Sequence, residues 1–339
     1  MKLIYPPLLK KGDTIGLVSP SAGLAGKYKY RVRRAIRWFN KYGFKVKIGK
    51  YFWKTGYIAG EPEERAEDIN RMIEDKEVKC IISSIGGKNS VQLLRYLDFK
   101  AFRRNPKIFM GFSDITVLHL AFYKKSRVVT FYGPMVLTQF GEYPEPFEYT
   151  VNYFFKAVMK GEIGKVKTVN YTDQFLDWGR YRNKARDRFR KNEFLWLKEG
   201  YGKGKLVGGC LPSILRVAGT KYFPSFKKSL IFLETPEGER PGKPYSLEKV
   251  DSNLSQLMEI GVFERTRGVI FGIPYQYTEG MKKEFFKLVE KRLSEYNFPI
   301  LANVNFGHTD PIITIPYGSI GEMDSEENSF LIEIKTKVK

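Results

Sequence analysis

The sequence predicts an α/β fold whose N-terminal part is a mainly parallel sheet with helices on both faces. Between residues 14 and 132, short apolar runs alternate with amphipathic runs of helical period. The apolar runs are almost continuous, which is typical of strands buried on both faces, and their alternation with helices favours a parallel sheet. The predicted strands span 14–19, 44–48, 78–85, 108–112 and 128–132, and the predicted helices span 27–42, 62–75, 90–97 and a run from 114.

A second regular region begins near residue 206 and predicts a smaller α/β domain. Between 161 and 205 the periodic pattern breaks down. We therefore expect an N-terminal α/β domain over 1–165, a linker and substrate-contact segment over 166–204, and a C-terminal domain over 205–339. In that domain the predicted strands span 229–233, 268–272, 300–304, 312–315 and 330–334, and the predicted helices span 211–219, 246–260 and 279–296.

Composition limits the classes of function. The net charge of +21 could serve an anionic partner, but no helix-turn-helix, zinc or RNP-like spacing accompanies it, so a nucleic-acid partner is not favoured. The basic residues between 180 and 191 are interpreted mainly as a solvated linker. No apolar stretch predicts a signal peptide or a membrane span. Cys80 and Cys210 lie apart in apolar contexts, which indicates buried thiols, and we expect a cytoplasmic protein without metal or cofactor.

The stretch from 107 to 125 contains the candidate nucleophile. An apolar run stops at Ser113, and an amphipathic run begins at Asp114. A strand, a tight turn and a helix are the arrangement that presents a serine hydroxyl at a strand-to-helix corner, and Gly111 would allow a sharp bend there. The alternative is ordinary N-cap chemistry, since serine commonly begins a helix.

Two further candidates also follow apolar runs. Glu234 ends the predicted strand at 229–233, and a carboxylate there needs a partner. His308 follows the predicted strand at 300–304, on a loop suited to chemistry, although a turn hydrogen bond would explain it too. The other histidine, His119, lies six residues after Ser113 on one predicted helix and faces mostly away from it, so we expect it to be packed.

Several motifs, in this order along the chain, resemble the LD-carboxypeptidase family of serine peptidases, and within it the microcin C immunity branch. The resemblance runs from about residue 11 to about residue 318. The motifs are GDTIGLVSPSAG (12–23), SSIGGKNS (83–90), NPKIFMGFSDIT (105–116), FYGP (131–134), GKLVGG (204–209), IFLE (231–234) and GHTDPIITIPYG (307–318); GGKNS, FYGPMVLTQFGE and TDQFLDW (172–178) indicate the immunity branch.

The resemblance implies a Ser-Glu-His triad. Ser113 would be the nucleophile, His308 the general base and then acid, and Glu234 the group that orients the imidazole. The backbone N–H groups of Gly87 and Asp114 would form the oxyanion hole, with the Asp114 side chain in a structural role. The family's fold implies a glutamine-amidotransferase-like N-terminal domain, a swivelling-type C-terminal domain, an active site between them and a homodimer.

The resemblance allows two substrates. The immunity branch hydrolyses an amide between an aminoacyl group and a nucleotide-like moiety, whereas classical members release a terminal D-Ala from muropeptides. Trp178, with Tyr171 as second choice, would stack on the base; interdomain packing is the alternative for Trp178. Where the family usually has an asparagine, this chain has Cys210, which cannot offer an amide's paired donor and acceptor. Gly86 and Asn89 are further candidates for substrate contact.

Two other classes of function are weighed against this hypothesis. A non-catalytic binder could hold an anionic nucleotide or a nucleic acid in the basic region from 180 to 191, but the candidate triad argues against it. A glutamine amidotransferase would need a cysteine nucleophile, and neither cysteine stands at the strand-to-helix corner. We therefore expect a serine carboxypeptidase or amidase that acts on a small peptide or an aminoacyl-nucleotide.

Overall fold

The protein is described by a computed structural model that covers residues 2–334. Two sheets, one of six strands and one of eight, make up the fold. The strands are β1 Thr14–Val18, β2 Lys45–Ile48, β3 Val78–Ser83, β4 Ile108–Gly111, β5 Phe131–Tyr132, β6 Gly164–Lys165, β7 Leu195–Lys198, β8 Tyr201–Cys210, β9 Ser229–Glu234, β10 Gly268–Gly272, β11 Ile300–Val304, β12 Ile315–Pro316, β13 Ile320–Asp324 and β14 Ser329–Glu333. The helices are α1 Lys29–Lys41, α2 Pro62–Glu74, α3 Phe99–Arg104, α4 Thr116–Lys125, α5 Glu148–Phe155, α6 Leu211–Leu215, α7 Leu247–Glu259 and α8 Glu279–Arg292.

The first sheet has the strand order β12-β5-β4-β3-β1-β2, and all its pairs are parallel except β12 with β5. Its central strands β1 and β4 are buried along their whole length, as continuous apolar strands between two helical layers must be. The α/β class and the mainly parallel N-terminal sheet predicted from the sequence are therefore confirmed. Since the strands run parallel, the loops that follow β3 and β4 meet at one edge.

The second sheet has the strand order β6-β14-β13-β8-β9-β10-β11-β7. Its centre, β8 to β11, is parallel, and its flanking pairs are antiparallel. Ser246 and Thr278 are the N-cap residues of α7 and α8, and the hydroxyl of each accepts a backbone N–H of the first turn of its helix. Because these strands are parallel, the carboxyl ends of β9 and β11 lie at the same edge of the second sheet.

Several elements differ from the expectation. Only residues Ser90–Leu93 form a short 3-10 turn where a helix to about 97 was predicted, and α6 ends at Leu215 rather than 219. The segment 166–204 contributes the strand Leu195–Lys198 and the first residues of β8 to the second sheet, and Leu195–Lys198 pairs with β11 through backbone hydrogen bonds. Strand β12 is two residues long and belongs to the first sheet, so the chain returns there after β11.

Candidate active site

Ser113 lies at a tight corner between β4 and α4. Its φ is +62°, in the left-handed region, and Ser113–Ile115 form a 3-10 turn before the helix. Such a backbone costs about 1–3 kcal/mol for a residue with a Cβ, and it turns the hydroxyl out of the sheet. Gly86 faces this corner: a Cβ there would lie 2.9 Å from the Cβ of Ser113. The corner is therefore a strand-to-helix elbow rather than a simple helix N-cap.

Three side chains from different strand ends form a hydrogen-bonded chain. His308 Nε2 lies 3.0 Å from Ser113 Oγ, and His308 Nδ1 lies 2.7 Å from Glu234 Oε2. With its proton on Nδ1 donated to Glu234, the imidazole leaves Nε2 free to accept the serine proton. Glu234 is buried at the end of β9, and His308 follows β11. The structure thus brings together the three residues that the sequence singled out.

The pKa of His308 is raised above its ordinary value. Burial lowers this pKa, but the charge of the Glu234 carboxylate and its hydrogen bond outweigh burial, with smaller contributions from Glu237 and Asp310. A raised pKa makes the imidazole a stronger base towards a hydroxyl proton.

Tyr132 joins the two halves of the site, and the sequence reasoning gave it no role. Its buried hydroxyl donates to Glu234 Oε1 at 2.7 Å and accepts the backbone N–H of Ser113 at 3.2 Å. Burial and then the charge of Glu234 raise the pKa of this phenol, so it stays a donor. Tyr132 belongs to the FYGP motif, and membership of this motif is the sequence feature that could have indicated a role for it.

The Asp114 carboxylate holds together the loops around Ser113. It is fully buried and accepts the Ser21 hydroxyl at 2.6 Å, the Ser90 backbone N–H at 2.9 Å and the Arg216 guanidinium at 3.0 Å. The side chain therefore has the structural role expected of it.

Gly87, the other residue expected in the oxyanion hole, has a φ of +153°, and a Cβ there would meet the Ser21 hydroxyl at 2.4 Å. This position accepts only glycine without displacing the neighbouring loop. That its N–H and that of Asp114 bind an oxyanion stays a prediction.

A cleft opens in front of His308. The residues that line it come from α1, from the loops after β4 and β5, from the segment 172–190 and from the loops after β9, β10 and β11. They are Arg31, Phe112, Thr138, Gln139, Glu142, Gln174, Phe175, Leu176, Trp178, Tyr181, Lys184, Arg186, Glu237, Tyr275, His308 and Asp310.

Trp178 lies in this cleft, as a base-stacking residue would. The Arg31 guanidinium sits 4.4 Å from the centroid of its ring, and Tyr28 packs edge-on at 5.3 Å. The Tyr30 hydroxyl donates to the Trp178 carbonyl at 2.7 Å. These contacts fix the indole at the cleft wall, and they also show the packing that was the alternative for this residue.

The prediction that Tyr171 could stack on a base is wrong. Its ring is 1% exposed, its hydroxyl is bonded by the Lys282 ammonium, and it does not line the cleft. The backbone of Tyr171 pairs with Arg190 and that of Thr172 with Asp310, so the chain is held at both residues while the Tyr171 ring is buried. In this structure Tyr171 therefore cannot stack on a base.

Two other predicted substrate contacts, Cys210 and Asn89, do not line this cleft. Cys210 is buried at the end of β8, next to Glu234 in the parallel register, and its N–H donates to the Thr116 hydroxyl at 3.0 Å. Burial, followed by the charge of Glu234, raises the pKa of this thiol. Asn89 donates its N–H to the Ser21 hydroxyl at 3.3 Å. Neither residue is in the cleft lining.

His119 is packed, as expected. Its two ring nitrogens bond Thr130 Oγ1 and the Gly111 carbonyl, each at 2.8 Å. Burial lowers its pKa to about 4, against a smaller opposing effect of the Gly111 carbonyl.

A buried ion network, not anticipated from the sequence, anchors the segment 172–190. Arg186 bonds Glu142 at 3.0 Å and Asp310 at 2.8 Å, and Arg31 also bonds Glu142 at 3.1 Å. Asp310 is two residues after His308, so the network connects the cleft wall to the histidine loop. Residues 180–191 were interpreted mainly as a solvated linker, and Arg186 departs from this because two carboxylates compensate its burial.

Over residues 2–334, no group of three or more His, Cys, Asp or Glu side chains could hold a metal ion. No helix in this described part of the chain is both long and apolar enough to cross a membrane.

The elbow serine, the buried histidine–carboxylate pair and the α/β framework define the class of serine hydrolases. Comparisons with known proteins agree. Residues 15–133 match the LD-carboxypeptidase N-terminal domain, and residues 203–323 match the LD-carboxypeptidase C-terminal domain. The chain therefore belongs to the LD-carboxypeptidase family of serine peptidases, and the resemblance found in the sequence is confirmed.

Individual relatives cover nearly the whole chain. A protein of Vibrio cholerae named as a carboxypeptidase is 31% identical over 335 residues, which are 98% of this chain and 98% of the relative. The microcin C7 self-immunity protein MccF of Escherichia coli is 29% identical over 316 residues, 91% of this chain and 90% of the relative. A solved structure of MccF in complex with aspartyl sulfamoyl adenosine superimposes with a TM-score of 0.89 at 29% identity and covers 97% of this chain and 98% of that chain.

Proposed function

We propose that this protein hydrolyses an amide bond between an aminoacyl group and a nucleotide-like moiety, through an acyl-enzyme on Ser113. The observation that carries the proposal is the hydrogen-bonded chain from Ser113 Oγ through His308 to Glu234, at 3.0 and 2.7 Å. A serine hydroxyl is a poor nucleophile until a base within hydrogen-bond reach removes its proton.

The steps follow from this geometry. His308 Nε2 takes the Ser113 proton while Oγ attacks the scissile carbonyl, and the N–H groups of Gly87 and Asp114 would stabilise the oxyanion. His308 then protonates the leaving nitrogen, the C–N bond breaks, and an ester on Ser113 remains. Water attacks the ester as His308 takes its proton, and the proton returns to Ser113 as the acid leaves. Glu234 holds the imidazole tautomer and supports the imidazolium.

The nucleotide-like substrate is supported by two observations. Trp178 lies in the cleft wall, and an aromatic ring in such a wall is the kind of surface on which a base stacks. The related MccF has been solved with aspartyl sulfamoyl adenosine, and the relationship extends over 97% of this chain.

A second candidate is an L,D-carboxypeptidase that releases a terminal D-Ala from muropeptides. The specific observation that favours it is the contact of Arg31 and Tyr28 with Trp178, since a tryptophan already packed on two sides has less ring surface for a base. The family's name gives the same indication.

The test is a hydrolysis assay read by mass spectrometry. Alanyl-sulfamoyl-adenosine and an L,D-tetrapeptide ending in D-Ala are offered side by side, with Ser113→Ala as the control. Cleavage of the adenosine compound by the unaltered protein alone supports the proposal, and release of D-Ala supports the second candidate. Activity retained in Ser113→Ala would contradict the mechanism. Salt-sensitive binding of DNA or RNA without any hydrolysis would favour the non-catalytic binder.

We further propose that the protein acts in the cytoplasm as a homodimer. Both cysteines are free and buried, which suits a reducing compartment, and the homodimer rests on the family resemblance. Light scattering on the purified protein measures the mass of the assembly, and a monomer at micromolar concentration would contradict the homodimer.

A further inference from the structure

Glu237 is a half-buried carboxylate in the wall of the cleft, three residues beyond Glu234. An antiparallel backbone bridge between Glu237 and Pro244 closes the intervening loop and fixes the start of that loop beside the site. The backbone that carries this carboxylate is therefore fixed beside the cleft.

Glu237 interacts with two residues of the cleft, Tyr275 and His308. Burial raises the pKa of Tyr275, and the charge of Glu237 and a hydrogen bond to it raise this pKa further. The charge of Glu237 also contributes to the raised pKa of His308. Tyr275 and His308 line the same cleft, with ring centroids 6.5 Å apart. A group bound by Glu237 would therefore lie close to the bond that His308 acts on.

Glu237 differs from the neighbouring carboxylates in the cleft and on its own loop, because each of those forms an ion pair with a lysine or an arginine. Glu142 and Asp310, which also line the cleft, both bind Arg186. Glu239, two residues further on, is exposed and is bonded by Lys88 and Lys249. Within the part of the chain that the structure describes, Glu237 forms no ion pair with a lysine, arginine or histidine.

A partly desolvated carboxylate is costly when no cation or donor set compensates it, and a single phenol satisfies only part of its capacity. A primary ammonium group is a compact cation with three donors, and it can bind a carboxylate through a short charge-assisted hydrogen bond. We propose that Glu237, held by Tyr275, binds a primary ammonium group that the substrate carries next to the scissile amide.

The inference deepens the proposed function and rests on it. It restricts the acyl group to one with a free amino group, as in an aminoacyl compound whose α-nitrogen is unblocked. An acyl group without an ammonium group would leave Glu237 without a cationic partner in the complex, and such a substrate would bind more weakly.

The experiment compares two ligands that differ only in this charge. Calorimetry measures the binding of alanyl-sulfamoyl-adenosine and of its lactyl analogue, in which a hydroxyl replaces the α-amino group, to Ser113→Ala at pH 7. We expect the alanyl compound to bind about 10- to 100-fold more tightly, the range for a hydrogen bond between charged groups. Adding Glu237→Gln should bring this ratio close to one.

Glu239→Gln in the same background is the matched control, since it removes a neighbouring carboxylate that already has two lysine partners. It should leave the ratio unchanged. Equal affinity for both ligands, no binding of either, or the same ratio in Glu237→Gln would overturn the inference. Hydrolysis by the protein with Ser113 intact is scored separately, so that a failure of the proposed chemistry is distinguished from a failure of ammonium recognition.

Discussion

The hydroxyl of Tyr132 donates a hydrogen bond to Oε1 of Glu234 at 2.7 Å and thereby connects the first sheet to the second. The hydroxyl oxygen of Tyr132 also accepts the backbone N–H of Ser113. Because Oε2 of Glu234 is bonded to His308, each carboxylate oxygen has one partner in the site. Tyr132 is thus a positioning residue that acts through Glu234 and the backbone of the elbow.

The first prediction concerns this hydroxyl. Tyr132→Phe should lower kcat about tenfold and leave KM nearly unchanged, because it removes a hydrogen bond worth about 1–2 kcal/mol that orients the carboxylate. Steady-state kinetics on the hydrolysed substrate measures both parameters.

Tyr317→Phe is the matched control for Tyr132→Phe. Tyr317 is also buried, but its hydroxyl bonds Gly208 rather than a residue of the candidate triad. Both variants should lower the free energy of unfolding by a similar amount, because each loses one buried hydrogen bond, but Tyr317→Phe should leave kcat unchanged. Equal losses of kcat in the two variants would indicate a general effect of destabilisation.

The second prediction concerns pH. A base must be neutral, so kcat/KM should fall as the pH decreases through the pKa of His308, which lies above the ordinary value of 6.5. The chain has two histidines, and the other, His119, has a pKa lowered to about 4. Carbon-13 NMR of labelled imidazoles should therefore show one resonance titrating above pH 6.5 and one that stays neutral down to about pH 5.

In the NMR titration, His308→Ala assigns the resonance that titrates. A kcat/KM that stays flat down to pH 4 would be incompatible with a histidine base.

The third prediction concerns the buried ion network. Arg186→Leu should lower the free energy of unfolding by about 3–5 kcal/mol, because the buried Asp310 carboxylate loses its cation while Glu142 keeps only Arg31. Arg180→Leu, at an exposed site in the same segment, should change it by less than about 0.5 kcal/mol. Urea unfolding measures both, and similar values for the two variants would refute this account of the network.

The fourth prediction concerns space beside the nucleophile. In Gly86→Ala the new methyl group would lie 2.9 Å from the Cβ of Ser113 and 3.0 Å from its Oγ. The displaced hydroxyl should lower kcat/KM about 100-fold, since misplacement by about 1 Å can have this effect. Gly280→Ala is the control, because its nearest neighbour is 3.9 Å away. Kinetics together with thermal unfolding would reveal whether Gly86→Ala loses activity while remaining folded.

The parallel first sheet could be predicted from its continuous apolar strands, and Ser113, Glu234 and His308 could each be expected just beyond a strand. That residues of two different sheets meet in one site followed only from the resemblance to the family. The burial of Tyr171 could not be predicted, since it depends on backbone pairing with Arg190 and on the distant Lys282 ammonium that bonds its hydroxyl. The Arg186 network was missed for a similar reason: exposed and buried arginines are alike in sequence, and only tertiary contacts with distant carboxylates distinguish them.

The return of the chain to the first sheet at β12 has a consequence for how this protein can be divided. His308 lies on the connection between β11 of the second sheet and β12 of the first, so the active-site loop is tied at both ends to different sheets. A fragment that ends before the second sheet would lack the strand that covers the edge of β5. Splitting the gene between the two sheets should therefore yield two interdependent pieces, and reconstituted activity would report their complementation.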